Sequence, residues 1–276
     1  MSTRFSAANS VLLALIAAVT LQAQDITTTD GQTYVNPSIR RAGEMIMVKM
    51  TVTGGTSAVE MGLPVSRIAK VAFPEPPELS KAIEAASRGN AKAVLSFTGD
   101  YVANQGDLKD LPGSWWPEMA RLRLLALAAL GKDFECADLA RQIGAVKNPS
   151  MDSLARAGTL FAPLSSSDLT AVLVGAKALP RLGGDQASAL AQLALGKALL
   201  KKKDFPGALR AFLTIKVFSP SLGILQAPSL DGAAEAYLGL KDEKRAMHSY
   251  EDIVQNWPES PQAPEAKKHV ESLVHP

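Results

Sequence analysis

Three segments of this 276-residue chain repeat one spacing, and that repetition limits the fold more than any other feature. Lys132-Asp133-Phe134-Glu135-Cys136-Ala137, Lys203-Asp204-Phe205-Pro206-Gly207-Ala208 and Lys241-Asp242-Glu243-Lys244-Arg245-Ala246 each run from a lysine and an acid to an alanine. A proline stands twelve residues beyond each alanine, at Pro149, Pro220 and Pro258. Phe212 and Tyr250 lie four residues after two of the alanines, whereas Arg141 holds that place in the first segment and Gly144 also departs from the pattern. Leu195-Gly196 and Tyr237 precede the second and third alanines at helical distances. Helix-forming stretches between such punctuation predict antiparallel helix pairs. Ala137, Ala208 and Ala246 fall where the second helix crosses close to the first, and the lysine and acid make the turn.

That spacing resembles the tetratricopeptide repeat, a helix-turn-helix of ~34 residues with a small residue in its second helix, an aromatic four residues on and a proline at its end. The resemblance covers Ala189 to Pro220 and Ala227 to Pro258 best, then Glu118 to Pro149. Two weaker pairs complete the array: Glu78 to Gln105, broken at Gly89-Asn90, and Met151 to Leu182, broken at Ser165-Ser166-Ser167-Asp168. In the latter, Asp168 is placed to accept from the free amides of the following helix. Pro264 to Val274 reads as a last, capping helix whose Lys267, Lys268 and Glu271 face water. Five pairs and a cap exceed the ~3 repeats a stack needs to bury a continuous core. Alanine and leucine dominate these two thirds and aromatics are only 5% of the chain, as close helix packing requires. The predicted class is therefore α+β, mainly α, with a TPR-like solenoid over residues 78–276. The resemblance implies a concave face lined by the first helices of the pairs, Glu118 to Leu130, Ala189 to Lys202 and Ala227 to Leu240. Arg121, Gln192 and Glu235 would face a partner there, and their mixed charge suits a peptide better than a polyanion.

Residues 25–73 have a different period. Thr, Val, Ile, Met and Tyr are broken by Asp30-Gly31, Ala42-Gly43 and Gly54-Gly55, which is turn punctuation between short strands. In Met45 to Val52 the residues Ile46, Val48, Met50 and Val52 alternate with a mixed face, and Gly54-Gly55 suits the hairpin that follows. Leu63 to Ile68 reads as a single turn and Ala69 to Phe73 as a last strand. Four or five short strands predict a small, bent sheet or SH3-like barrel. Asp30-Gly31-Gln32-Thr33-Tyr34 and the later Leu63-Pro64-Val65-Ser66-Arg67-Ile68-Ala69-Lys70-Val71 resemble a small β module found ahead of helical repeats in exported bacterial proteins. Pro74-Glu75-Pro76-Pro77 reads as a stiff linker, because each proline fixes φ and turns its predecessor away from helix.

Residues 1–24 have the layout of a secretory signal peptide: Arg4, a polar stretch, an apolar run from Val11 to Leu21, then Gln-Ala-Gln. The run is far shorter than the ~20 residues of a membrane span, so an exported chain, periplasmic or secreted, is expected rather than an integral membrane protein. Cleavage is expected near Ala23 or Gln24. Cys136 is the only cysteine, which excludes an internal disulfide, a CxxC pair and a thiolate zinc site, and its helical context predicts a packed side chain rather than a reactive thiol. Lys plus Arg number 29 against 27 Asp plus Glu, too even a balance for a nucleic-acid binder.

Catalytic and cofactor motifs do not appear in the chain. It holds no GxSxG, GxGxxG or HExxH, and its three histidines, His248, His269 and His275, include no i, i+4 pair. Gly131-Lys132 and Gly196-Lys197 resemble the end of a phosphate loop but lack its first glycine. No cofactor and no metal ligand set is expected. Lys201-Lys202-Lys203 closes a helix, where cations oppose the negative end of its dipole. Trp115-Trp116-Pro117 opens a helix, with Pro117 in the first turn. Two adjacent indoles cannot both face one core, so one is expected to pack while the other offers an aromatic platform. The expected function is a non-catalytic scaffold binding a protein or peptide in the cell envelope, with Trp115, Trp116, Arg121, Gln192 and Glu235 as contact candidates. The alternative is a hydrolase or glycan-processing enzyme, since paired carboxylates can lie far apart in sequence.

Overall fold

The computed structural model describes residues 21–22, 25–35, 37–51, 58–179 and 185–274. The expected signal peptide falls outside these residues except for Leu21–Gln22, a two-residue strand, β1, that pairs with Ser38 and Ile39. Gly54-Gly55 also lies outside them.

The first part is a β module. Strands β2 (Asp25–Thr28), β3 (Thr33–Val35), β4 (Ser38–Ala42), β5 (Met45–Thr51), β6 (Ala58–Pro64) and β7 (Ile68–Ala72) form two antiparallel sheets, ordered β1-β4-β5-β6 and β3-β2-β7. The chain crosses from one sheet to the other through the single 3-10 turn Val65–Arg67, where the proline-led turn was expected. The alternation in β5 places Ile46 and Val48 inward, both fully buried, together with Ile26, Ile39, Leu63, Ile68, Val71 and Phe73.

Eleven α-helices follow among the described residues, and nearly all consecutive helices pack against one another in a repeat-like manner. They are α1 (Leu79–Ser87), α2 (Ala91–Asn104), α3 (Trp116–Ala129), α4 (Asp133–Ala145), α5 (Asp152–Thr159), α6 (Thr170–Ala178), α7 (Gln186–Lys201), α8 (Phe205–Phe218), α9 (Gly223–Gly239), α10 (Glu243–Asn256) and α11 (Ala263–Val274). Side-chain caps set several starts: Asn90 accepts from the Ala93 amide, Asp204 from Gly207 and Asp242 from Arg245.

The repeat register differs by one residue from the expectation in the first segment. Lys203 (φ 59) and Lys241 (φ 62) take the left-handed conformation that ends α7 and α9, but Gly131 (φ 68) does so after α3. The capping position thus falls on Lys132 rather than Asp133, and Cys136, not Ala137, matches Ala208 and Ala246. The hydrogen bonds agree, since Cys136, Ala208 and Ala246 each donate to their own cap residue. Ala140 therefore occupies the site of Phe212 and Tyr250, correcting the assignment of Arg141. A glycine adopts positive φ without a Cβ clash, so the turn comes one residue early and Asp133 is released from capping.

Helices α3, α7 and α9, the first members of these three pairs, bury most of their residues and form the middle of the helical core. Phe212 of α8 is wedged between Gly196 of α7 and Gly232 of α9, and a Cβ at Gly196 would stand 2.5 Å from its ring. α9 also meets α3 and α1. Gly223, at the start of α9, abuts the Ser87 carbonyl, Trp257 lies against Gly89, Asn90 donates to Glu259 (3.3 Å), and Gln262 donates to the Ala129 carbonyl (2.8 Å). The array thus curls until its last pair touches its first.

Pro74 to Pro77 is no free spacer. Pro76 is buried, and the segment between α2 and α3 ties the two parts together: Leu108 and Leu111 complete the β core, the Val71 amide donates to the Pro112 carbonyl (2.8 Å), and Arg41 pairs with Asp110.

Candidate functional site

α7 lies between two clefts of opposite character. Its residues Gln192, Leu195, Leu199 and Lys202 recur every three to four positions, so they form a stripe along one face about 15 Å long at 1.5 Å per residue. That stripe floors a groove of about 650 Å³, with Leu173, Ala176 and Lys177 of α6 on one side and Gly207, Arg210, Ala211, Thr214 and Phe218 of α8 on the other. The volume is in the range that takes a sizeable ligand. Phe218 is 58% exposed at the groove, an apolar side chain that water does not favour. Lys177, Lys202 and Arg210 are exposed and have no carboxylate within ion-pair distance among the described residues. The one acid of the lining, Asp204, accepts from the Gly207 amide (3.0 Å) at the start of α8.

The opposite face of α7 carries Lys197. Its Nζ pairs with Asp133 Oδ1 at 2.8 Å and sits 5.3 Å above the Phe161 ring. This is where the Asp133 carboxylate, freed by the early turn at Gly131, is used. Around Lys197 the ends of α3 and α7 and the middle of α9 converge on a small cleft of about 210 Å³ lined by Asp231, Glu235 and Gln262. Burial, then the charges of Glu235 and Glu265, push the Asp231 carboxyl up to about 7. Glu235 is raised too, chiefly by burial, against the opposing pull of His269 and Lys197. Tyr250 is stacked on His269 with ring centres 4.5 Å apart, and burial first, then the neighbouring carboxylates, push its hydroxyl up to about 12.

The expected contact residues do not meet on one surface. Gln192 is buried beneath the outer groove, while Glu235 opens on the inner cleft. Arg121 is half-buried and paired with Glu118 of its own helix. Trp116 is 1% exposed and donates to the Val102 carbonyl (3.0 Å). Trp115 is half-buried between the β core and the helical core and donates to the Phe73 carbonyl (3.3 Å), so it forms the joint between the two parts and not an open platform. Sequence reasoning passed over Lys177, Arg210 and Phe218. The signal for them was faint: an exposed phenylalanine ending α8, and a basic residue on each helix beside α7. Lys202 was noted only within its lysine run, which the structure divides: Lys201 donates to the Leu164 carbonyl, Lys202 reaches the groove, and Lys203 makes the turn.

Cys136 is fully buried, its thiol pushed up to about 12 by burial before the charge of Asp133. Among the described residues, no three His, Cys, Asp or Glu side chains are grouped to hold a metal, and no helix is long and apolar enough to cross a membrane. Compared with protein-family models, curated proteins and solved structures, the chain matches none.

Proposed function

We propose that this is an exported, non-catalytic helical-repeat protein of TPR-like kind that holds a peptide segment of a partner protein in the cell envelope. The observation that carries the reading is the groove floored by α7, which has both the volume and the apolar lining to take several residues of chain. The concave face implied by the repeat resemblance is occupied by α3, α7 and α9 themselves, so binding is assigned to the outer side of α7. The signal-peptide layout of residues 1–24 supports export. A photo-crosslinking residue at Thr214, in the groove, is expected to trap a discrete partner in envelope extract, whereas one at Asp138, on the exposed side of α4, is not. Equal adducts from both positions, or none from Thr214, would remove the groove from consideration.

One observation favours a second reading, a hydrolase or glycan-processing enzyme: Asp231, one turn from Glu235 in the inner cleft, has its carboxyl pushed up to about 7 by burial and then by the charges of Glu235 and Glu265, the direction a general acid requires. The two stand one turn apart on the same helix, and the cleft between them is small. Release of sugars from cell-wall fragments by the purified protein, abolished in Asp231→Asn, would establish this reading in place of the first.

A further inference from the structure

The groove floored by α7 also specifies the chemistry of its occupant. Its floor, Leu195 and Leu199 with Leu173 and Ala176 beside them, offers no charged group, whereas its rim offers three cations against one acid, Asp204. Lys177 stands on α6, Lys202 just beyond the end of α7, and Arg210 midway along α8, so the cations ring the apolar floor instead of clustering at one point. Nothing in the described part of the chain neutralises them at ion-pair range. Asp204 is engaged at the α8 amide, and the Asp168 carboxyl is held down first by its hydrogen bonds from Thr170 and only then by the charge of Lys202. Gln192, largely buried in the floor, adds a side-chain amide to the lining. Three exposed cations over an apolar floor are complementary to carboxylates spaced by apolar side chains, and such complementarity fixes which partners are excluded as well as which bind.

We propose that this groove binds an acidic peptide segment, with leucine-like side chains on Leu195 and Leu199 and carboxylates on Lys177, Lys202 and Arg210. The inference rests on the peptide-binding reading above and narrows it to one chemical class. A span of about 15 Å matches some four to five residues of extended chain at ~3.3 Å each, or about three turns of helix. A stretch of that length with carboxylates about an apolar centre satisfies the rim and the floor together.

The test is direct titration of the purified full chain with three labelled hexapeptides, in which leucines alternate with glutamate, glutamine or lysine. The glutamate peptide is expected to bind, to weaken with rising salt, and to lose at least tenfold in affinity to Lys202→Glu or Arg210→Glu. Lys202→Gln and Arg210→Gln serve as milder variants should the reversals perturb folding, and circular dichroism melts verify each. The lysine peptide should bind only after charge reversal. Equal binding of the glutamine and glutamate peptides overturns the acidic assignment while leaving a peptide groove in place. Binding of decanoate in place of any peptide, blocked by Thr214→Trp, overturns it in favour of an acyl chain. Absence of binding by all three peptides, together with no crosslinking from Thr214, removes both the inference and the reading beneath it.

Discussion

The two faces of α7 show how one helix can be closed on one side and open on the other. Towards α3 and α9 its neighbours are glycine, alanine and a wedged phenylalanine, with Lys197 committed to Asp133 and the ring of Phe161. Towards α6 and α8 it shows leucines and a glutamine under a rim of cations that have no ion-pair partner among the described residues. The inner side has exchanged access for packing density, and its remaining cleft is acidic. The outer side is accessible and basic, with three exposed cations at the rim of its groove. A side chain on the first face should therefore matter for stability, and one on the second for binding.

The largest expected break in that contrast comes from Gly232→Val. A branched side chain there would drive into the Phe212 ring, and overpacking of this kind costs about 1–3 kcal/mol or more. On the outer face Arg210→Ala should change stability by no more than about 0.5 kcal/mol. Urea denaturation of both variants measures the difference, and equal midpoints would mean that the inner face is not the tightly packed one.

Asp231→Asn sharpens the contrast by pH. With its folded pKa raised from 3.8 to about 7, Asp231 binds a proton more readily in the native than in the unfolded state across roughly pH 4 to 7. Stability linked to this group is greatest below that window and falls as pH rises through it. Asparagine cannot ionise, so the variant should match the parent near pH 4 and exceed it by about 1 kcal/mol at pH 8, a conservative figure because one pKa unit corresponds to about 1.4 kcal/mol and the group keeps some contact with water. A variant gain that is the same at both pH values would show that Asp231 ionises normally.

Cys136→Ala should have the smallest effect, about 0.5–1 kcal/mol, because the register places Cys136 where Ala208 and Ala246 stand in the other pairs. The buried thiol should react with maleimide only as fast as the chain opens. Rapid labelling of the folded protein would contradict the packing assigned to α4.

Local patterns made much of this architecture legible. The alternation of Ile46 and Val48, the single turn at Val65–Arg67, the break at Gly89-Asn90 and the helix opening with Pro117 in its first turn all follow from short-range spacing. The slip at Gly131 did not, because Lys132-Asp133 looks like the other lysine-acid turns and only the backbone conformation of the glycine separates them. Trp115 was misplaced for a different reason: its partners, Phe73 and the β core, come from another part of the chain. The groove shows the same limit. Gln192 could be identified from its own helix, but Lys177 and Arg210 come to it from α6 and α8, and no spacing in the sequence connects all three.

The contact of the last helical pair with the first also bears on the order in which the chain can assemble. An open stack grows by adding each unit to the one before it, so early units are complete before later ones exist. Here Asn90 waits for Glu259, 169 residues downstream, and the Ala129 carbonyl for Gln262, 133 residues downstream. At a synthesis rate of about 5–20 residues per second, the shorter of these gaps alone amounts to roughly 7–27 s during which the start of the helical array lacks its closing neighbour. The first helical pair can pack on its immediate neighbours early, but its contacts with the last pair form only once the end of the chain has been made, so closure of the array is a late step in assembly.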